Sequence, residues 1–412
     1  YGPLYPVNDL TTGQALLMLP EGFSYRSYGR TGELMSDGIV TPSNHDGMGV
    51  VGLTINPDGS QSLILVRNHE RSGSGSLLGG SAGRQVPTYD TAGRGGTTSL
   101  LFNATHGHWE SSWLSLRGTS ANCAGGVTPQ GSWLTGEETL ETLNGKPHGW
   151  IFEVPGYGAG TGQPLMGLGR FKHEAAAVDP DTGIVYETED DWNPGSGFYR
   201  FLPDVPGELA RGGVLQMLRV RGQAQANLHN WNGSLAAGRL LDVDWVDIPD
   251  PQALSSEVRL QGRGQGAAYF SRLEGCWCAG NGSIYFVDTE GGPAREGQLW
   301  EYDARNAVLR LVYISPSSSV LSQPDNVTVS PRTPGVLLCE DRRSGVTGLK
   351  TLSADGQLEP FALNNVTGST GEEWAGATFG PVMPDGRYWL FVNIQTPGIT
   401  FAITGPWERG PI

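Results

Sequence analysis

Short apolar runs ending in acidic or amide side chains recur along this chain. They are LILVRNHE to Glu70, WLTGEE to Glu138, IVYETEDD to Asp191, IYFVDTE to Glu290, VLLCED to Asp341 and LFVNIQ to Gln395. Several are followed, after a turn-rich gap, by a second strand-like run: GWIFEV at 149–154, GFYRFL at 197–202, GQLWEY at 297–302 and TFAIT at 400–404. Alternating and fully apolar short runs dominate from about residue 50, bounded by DG, NG, GG and PG, and a sustained 3.6 period is almost absent. The pattern predicts an all-β fold with short helices only near 205–212 and 250–256. Paired strands that deliver oxygen ligands at the same end are what a β-propeller needs to collect cations in its channel, and six repeats predict a six-bladed β-propeller.

The repeat is roughly 50 residues long, with a longer first gap and a central one of about 100, so longer inserts are expected between some blades. The expected organisation is a single domain over 1–412, with an opening segment at 1–40 carrying a weak first strand and an insert between blades at 205–265. The stretches 72–98 and 156–168 read as loops from their Gly and Ser content. Neither carries the glycine motif and Lys-Ser/Thr ending of a nucleotide-binding loop.

Composition narrows the partners. With 62 Gly and 27 Pro spread among the short strands, these residues mark turns and not disorder or collagen. The 12 Trp and 38% hydrophobic residues supply a core large enough to fold without disulfide staples. A net charge of −15, from 42 acidic against 27 basic residues, argues against nucleic acid or an anionic membrane and invites cations. No apolar stretch of about 18 residues is present to span a membrane. The chain starts at Tyr1 and not Met, as expected of a mature or trimmed product.

Cysteines at 123, 276, 278 and 339 lack both a disulfide framework and the paired spacing of a zinc ribbon, and the seven His show no metalloprotease spacing. No G-x-S-x-G elbow appears, so a serine hydrolase lacks its usual signature. Candidate chemistry lies elsewhere. Cys123 stands among glycines in NCAGGVTP, where a thiolate can approach iron or zinc, although an isolated Cys is more often simply buried. HEAAAVDP leads through a turn to Glu187, Glu189, Asp190 and Asp191, acids that could also be only solvated. In FSRLEGCW, strand alternation would set Arg272 beside Glu274, either as a structural ion pair or as a phosphate clamp next to a metal ligand. His45-Asp46-Gly47-Met48, Asn68-His69-Glu70, Pro324-Asp325-Asn326, Cys339-Glu340-Asp341-Arg342, Glu372-Glu373-Trp374 and Asn393 add hard oxygen donors to the remaining repeats. So many buried carboxylates are tolerable only if cations neutralise them.

Taken in order, NCAGGVTP, WLTGEE, HEAAAVDPDTGIVYETEDD, SGFYRFLP, RLEGCW, GSIYFVDTEGG, PDNVTVSPR, VLLCED, EEWAGATF and FVNIQTPGITFAITGPW resemble the PhoX-type alkaline phosphatase family over about residues 40–407. The resemblance implies a six-bladed propeller exported to the periplasm or secreted by the twin-arginine route, hydrolysing phosphomonoesters with ferric iron and calcium. It implies Cys123 as a thiolate ligand of iron, Glu174 and Glu274 as metal-binding carboxylates and Arg272 as the phosphate-binding guanidinium. Glu70, Glu138, Asp325, Glu340 and Glu373 join the expected metal ligands by motif position, and Asn68 is expected to touch substrate. Gly136 replaces a Cys common in the family, and Gln130 replaces a Trp. Small phosphate esters are the expected partners, with neither nucleic acid nor membrane, and a monomer is expected. Two other classes share the pattern. One is a calcium-dependent propeller lactonase or phosphotriesterase, and the other is a non-catalytic propeller whose calcium only stabilises the channel.

Overall fold

β-Branched and aromatic residues in short runs, cut by glycine and proline turns, give antiparallel strands throughout the computed structural model, which describes residues 1–80, 85–192 and 195–412. The fold is all-β as expected. Residues 81–84 of the expected 72–98 loop lie outside the described residues.

Among the described residues, six antiparallel units follow one another, and each begins with an inner strand. The inner strands are His45–Ile55, Asn122–Val127, His173–Val178, Leu273–Cys278, Pro324–Val329 and Trp374–Phe379. Each packs against the next, and Trp374–Phe379 packs back on His45–Ile55, so the contacts close into a ring. The second strands are Gln61–His69, Ser132–Glu137, Val185–Glu189, Ser283–Asp288, Val336–Glu340 and Leu390–Ile394. Their ends are the acidic and amide termini seen in the sequence, and antiparallel pairing sets each beside the start of an inner strand.

The N-terminal segment is built into this arrangement. Ser24–Tyr28 pairs with Ile399–Thr404 and completes the last unit, so the two ends of the chain share one sheet. Leu17–Pro20 and Leu4–Val7 extend the sheet that holds Leu358–Asn364. Within 205–265, Gly213–Val220 is the outer strand of the third unit, and Leu240–Asp247 pairs with both it and Val308–Ile314 to join two units into nine strands. The short helix expected near 205–212 is a single 3₁₀ turn at Leu209–Arg211, and the α-helix forms at Val258–Gly264 and not at 250–256. Pro251 and the Asp250 turn, whose side chain accepts from the Ser255 N–H, occupy the earlier stretch.

The core lies in wedges between neighbouring units and not in one central mass. Leu63, Phe102, Trp389 and Phe391 fill one wedge, Phe198, Phe286, Trp300 and Tyr302 another, and Phe361, Trp374, Phe401 and Trp407 a third. Apolar burial therefore holds the units side by side and leaves the innermost strands to line the axis.

All six inner strands share one irregularity. Pairing with the second strand is interrupted between His45 and Met48, Asn122 and Gly125, His173 and Ala176, Leu273 and Cys276, Pro324 and Val327, and Ala375 and Thr378. A bulge at this point re-aims the side chains within it. Small residues follow because the backbones nearly touch: a Cβ at Gly47 would lie 2.5 Å from Ala124 Cα, and one at Gly275 would lie 2.7 Å from the Asp325 carbonyl oxygen.

Candidate metal centre

The second residue of each inner strand is, in turn, Asp46, Cys123, Glu174, Glu274, Asp325 and Ala375. The bulges turn the first five toward one end of the ring, where the second strands deliver Glu70, Glu138 and Asp341, and Glu373 stands just before Trp374. Three donor groups result among the described residues, each with its ligand atoms within 4.8 Å of one another: Cys123, Glu138 and Glu174; Glu174, Glu274 and Asp325; Asp325, Asp341 and Glu373. Glu174 and Asp325 each belong to two groups, so the three form a continuous chain.

Electrostatically the cluster is unstable by itself. Burial, then Glu274, Asp325, Glu138 and Asp46, push the Glu174 carboxyl well above the carboxylate range. Burial and neighbouring acids do the same to Asp46, Glu138, Glu274 and Glu373. Burial, then Asp46, Glu174, Glu138 and Glu70, push the Cys123 thiol far up, and its Sγ lies 3.4 Å from Glu174 Oε1. Glu174 Oε2 and Glu274 Oε1 are buried with no hydrogen-bond partner. Buried carboxyl oxygens without donors, gathered around a thiol, fit bound cations: a metal would take up the orphaned lone pairs and displace the protons. The first group, with sulfur, suits a transition metal such as iron, and the oxygen-only groups suit calcium.

Arg272 stands directly beside this cluster. Its Nε donates to both carboxylate oxygens of Asp190 at 3.1 Å, and Nη2 donates to Asp190 Oδ2 at 2.8 Å. Nη2 is also 2.8 Å from Glu274 Oε1, near enough for an ion pair but not aligned for a hydrogen bond, which is why that oxygen remains without a donor. Strand alternation is not what pairs Arg272 with Glu274: the strand starts at Leu273, and Arg272 has a left-handed φ of 35°. This backbone is rare for a side chain of its size and is held by the surrounding contacts. Burial works against its charge, but Glu274 and Asp190 outweigh it and raise its pKa further, so the guanidinium stays charged.

The expected residues therefore separate into those that converge and those that do not. Cys123, Glu138, Glu174, Glu274, Asp325 and Glu373 enter the donor groups. Glu70 lies at their edge, where Gln395 Nε2 donates to Glu70 Oε2 at 3.2 Å and to Asp46 Oδ2 at 2.9 Å. Glu340 does not join them. It is buried, accepts from the Ser322 N–H at 3.0 Å and lies 3.9 Å from Arg342, while its neighbour Asp341 reaches the centre. Asn68 is also placed differently from expectation. Its amide N–H groups donate to the carbonyls of Cys123 and Ala124, both at 2.9 Å, and its Oδ1 accepts from Trp133 at 2.9 Å. No N–H is left to meet a substrate, and Asn68 braces the Cys123 strand instead.

Asp46, Asp190 and Asp341 lie in the donor-bearing motifs but are not among the residues expected to bind metal or substrate. The available signal was a donor followed by Gly or Ala at four inner-strand starts, Asp46-Gly47, Cys123-Ala124, Glu174-Ala175 and Glu274-Gly275, with Asp325-Asn326 as a fifth donor at the same position. Asp190 carries no such local mark, since its role depends on Arg272 coming from the next unit. All four cysteines are free, and Cys276 packs in the core away from the donor groups.

An all-β chain with a buried carboxylate and thiol centre at one end of a strand ring, and a guanidinium clamped by Asp190 at its side, carries a donor set that fits metal ions. It belongs to the PhoX alkaline phosphatase family, since the family model described as Alkaline phosphatase PhoX matches residues 1–112 and 106–398. No curated relative matches the chain. Among solved structures, a gluconolactonase from Xanthomonas campestris is similar at 14% identity with a TM-score of 0.39, over 89% of this chain and 97% of that one. A periplasmic gluconolactonase of Pseudomonas aeruginosa is similar at 13% identity with a TM-score of 0.36, over 92% and 93%. Similarity at this level says nothing of function. No helix among the described residues is long and apolar enough to cross a membrane.

Proposed function

We propose that the six units are the blades of a six-bladed β-propeller and that this protein hydrolyses small phosphomonoesters at the end of its axis. Family membership supports the reading. The observation that carries it is the chain of three donor groups lying directly against a guanidinium held by Asp190. When bound, ferric iron would supply Lewis acidity at the Cys123 group, and calcium would neutralise the oxygen-only groups.

Each side chain then has a definite task. Cys123, Glu138 and Glu174 would hold iron, and Glu174, Glu274, Asp325, Asp341 and Glu373 would hold calcium. Arg272 receives the phosphate, because a planar fork matches phosphoryl oxygens and stabilises the charge that grows on them. Asp190 fixes the fork so that little reorganisation is left to the reaction. In the overall change a water oxygen joins phosphorus, the ester P–O bond breaks, and the alcohol leaves with a proton. We propose that the protein works as an exported monomer in the periplasm or outside the cell, the location that family membership supports.

Elemental analysis of protein purified without chelators, paired with p-nitrophenyl phosphate turnover, tests the reading. Iron and calcium should both be found, and chelation should abolish turnover. Turnover that persists in metal-free protein would overturn it, as would calcium alone with hydrolysis of lactones and not of phosphate esters.

A further inference from the structure

Next to Arg272 is an aromatic side chain that the metal centre does not use. Trp192 is 61% exposed, and the Arg272 guanidinium lies 5.1 Å from the centre of its ring. A single exposed Trp on a surface needs no explanation, but this one rests on the group that receives phosphate.

The wall continues beyond it. Gly195 lies against Tyr269, since a Cβ on it would lie 3.0 Å from that ring, and Ser196 pairs with Phe270. Asn227 pairs with Tyr269, and His229 lies 5.9 Å from the Tyr269 ring and 4.0 Å from Trp231. Trp231 is 38% exposed, carries Arg295 over one face at 3.6 Å, and donates its indole N–H to the Glu290 carbonyl at 2.7 Å. Trp192, Tyr269 and Trp231 thus come from three parts of the chain to the surroundings of Arg272, whose own carbonyl accepts from the Thr289 N–H next to Glu290.

We infer that this wall, with Trp192 as its innermost member, selects phosphomonoesters whose alcohol carries a planar ring, such as a nucleoside 5′-monophosphate. The inference rests on the phosphatase reading above and names the substrate class of that site. With Arg272 against the Trp192 ring and most of the side chain in solvent, the indole offers a rigid stacking surface next to the phosphate. Stacking of a base on an aromatic side chain corresponds to a preference of about tenfold or more. Nearby Arg263, 4.2 Å from the Tyr269 ring, adds a second cation along the same wall.

The test compares adenosine 5′-monophosphate with ribose 5-phosphate, which share the same CH2–O–P ester and differ in the base. Metal-replete protein should show kcat/KM at least about tenfold higher for the nucleotide. Trp192→Ala should bring the ratio close to one, and Trp192→Phe should keep most of it. A ratio near one in the unaltered protein would overturn the inference. So would a Trp192→Ala variant that slows both esters equally, since the ring would then only prop Arg272. If the unaltered protein cleaves neither ester, the phosphatase reading has failed by itself. Calorimetric binding of the two compounds then decides the ring preference, and equal affinities would overturn it.

Discussion

Asn68 donates both N–H groups of its side chain to the carbonyls of Cys123 and its neighbour Ala124. The contact ties the second strand of the first unit to the inner strand of the second. It lies where that inner strand bulges and its own ladder is interrupted between Asn122 and Gly125. The backbone that aims the Cys123 thiol is thus held by a side chain from another unit.

Asn68→Ala should therefore act on stability and on the thiol, and not on substrate contact. It leaves two buried carbonyls and the Trp133 N–H without partners, a cost on the order of 3 kcal/mol. Denaturant unfolding of the metal-free protein measures that cost directly. A variant of full stability with a raised KM would instead mean that Asn68 touches substrate.

Cys123→Ser should lower bound iron and leave calcium less affected, because a hydroxyl is a far weaker ligand for iron than a thiolate. Cys276→Ser should retain both metals, since Cys276 packs among Phe270, Phe286 and Trp300. Elemental analysis of the two variants side by side checks this. Equal loss of iron in both would remove Cys123 from the centre.

Arg272→Ala should reduce kcat/KM by a factor corresponding to about 3 kcal/mol, the usual cost of removing a desolvated donor to growing charge. Asp190→Asn keeps the shape but weakens the hold on the guanidinium, so a smaller loss is expected, mainly in kcat. Steady-state kinetics with p-nitrophenyl phosphate separates the two. An Asp190→Asn variant with unchanged constants would show that Arg272 needs no such support.

Stability of the metal-free protein should fall as pH rises. Burial, then Asp341, push Asp325 up to about 8 and Glu70 up to about 7, and burial above all pushes Glu189 up to about 8. Unfolded carboxyls titrate near pH 4. Between those limits the folded chain binds more protons than the unfolded one, so the unfolding free energy decreases with pH. The stabilisation is complete below about pH 4 and is lost as pH rises through 7 to 8. Melting temperatures of chelated protein should therefore drop between pH 5 and pH 8, whereas in metal-loaded protein, where Asp325 would be held ionised by cations, the drop should be smaller. A melting temperature of the chelated form that rises over this range would contradict the burial of these acids.

Much of the centre could be read in the sequence, because strand ends and donor types are local. The acidic termini at Glu70, Glu138 and Asp341 do meet at one end of the ring, and the motifs carrying Cys123, Glu174, Glu274 and Asp325 supply the donor groups. Other ends of the same repeat are occupied differently. Asp191 pairs with Lys172 at 3.3 Å, Glu290 pairs with Arg343, and Gln395 bridges Asp46 and Glu70. The residue pattern is the same in each case, and the neighbour contributed by a different unit sets the outcome.

By itself the sequence determined an all-β chain of repeated strand pairs, its acidic strand ends and the one thiol set among glycines. Alternation, turn residues and donor chemistry act over a few positions, so they are written locally. Tertiary structure alone decided that Asp341 and not Glu340 reaches the centre, that Asn68 braces backbone, and that Asp190 holds Arg272. Each depends on which way a bulge turns a side chain and on what an adjacent unit, tens of residues away in sequence, sets against it.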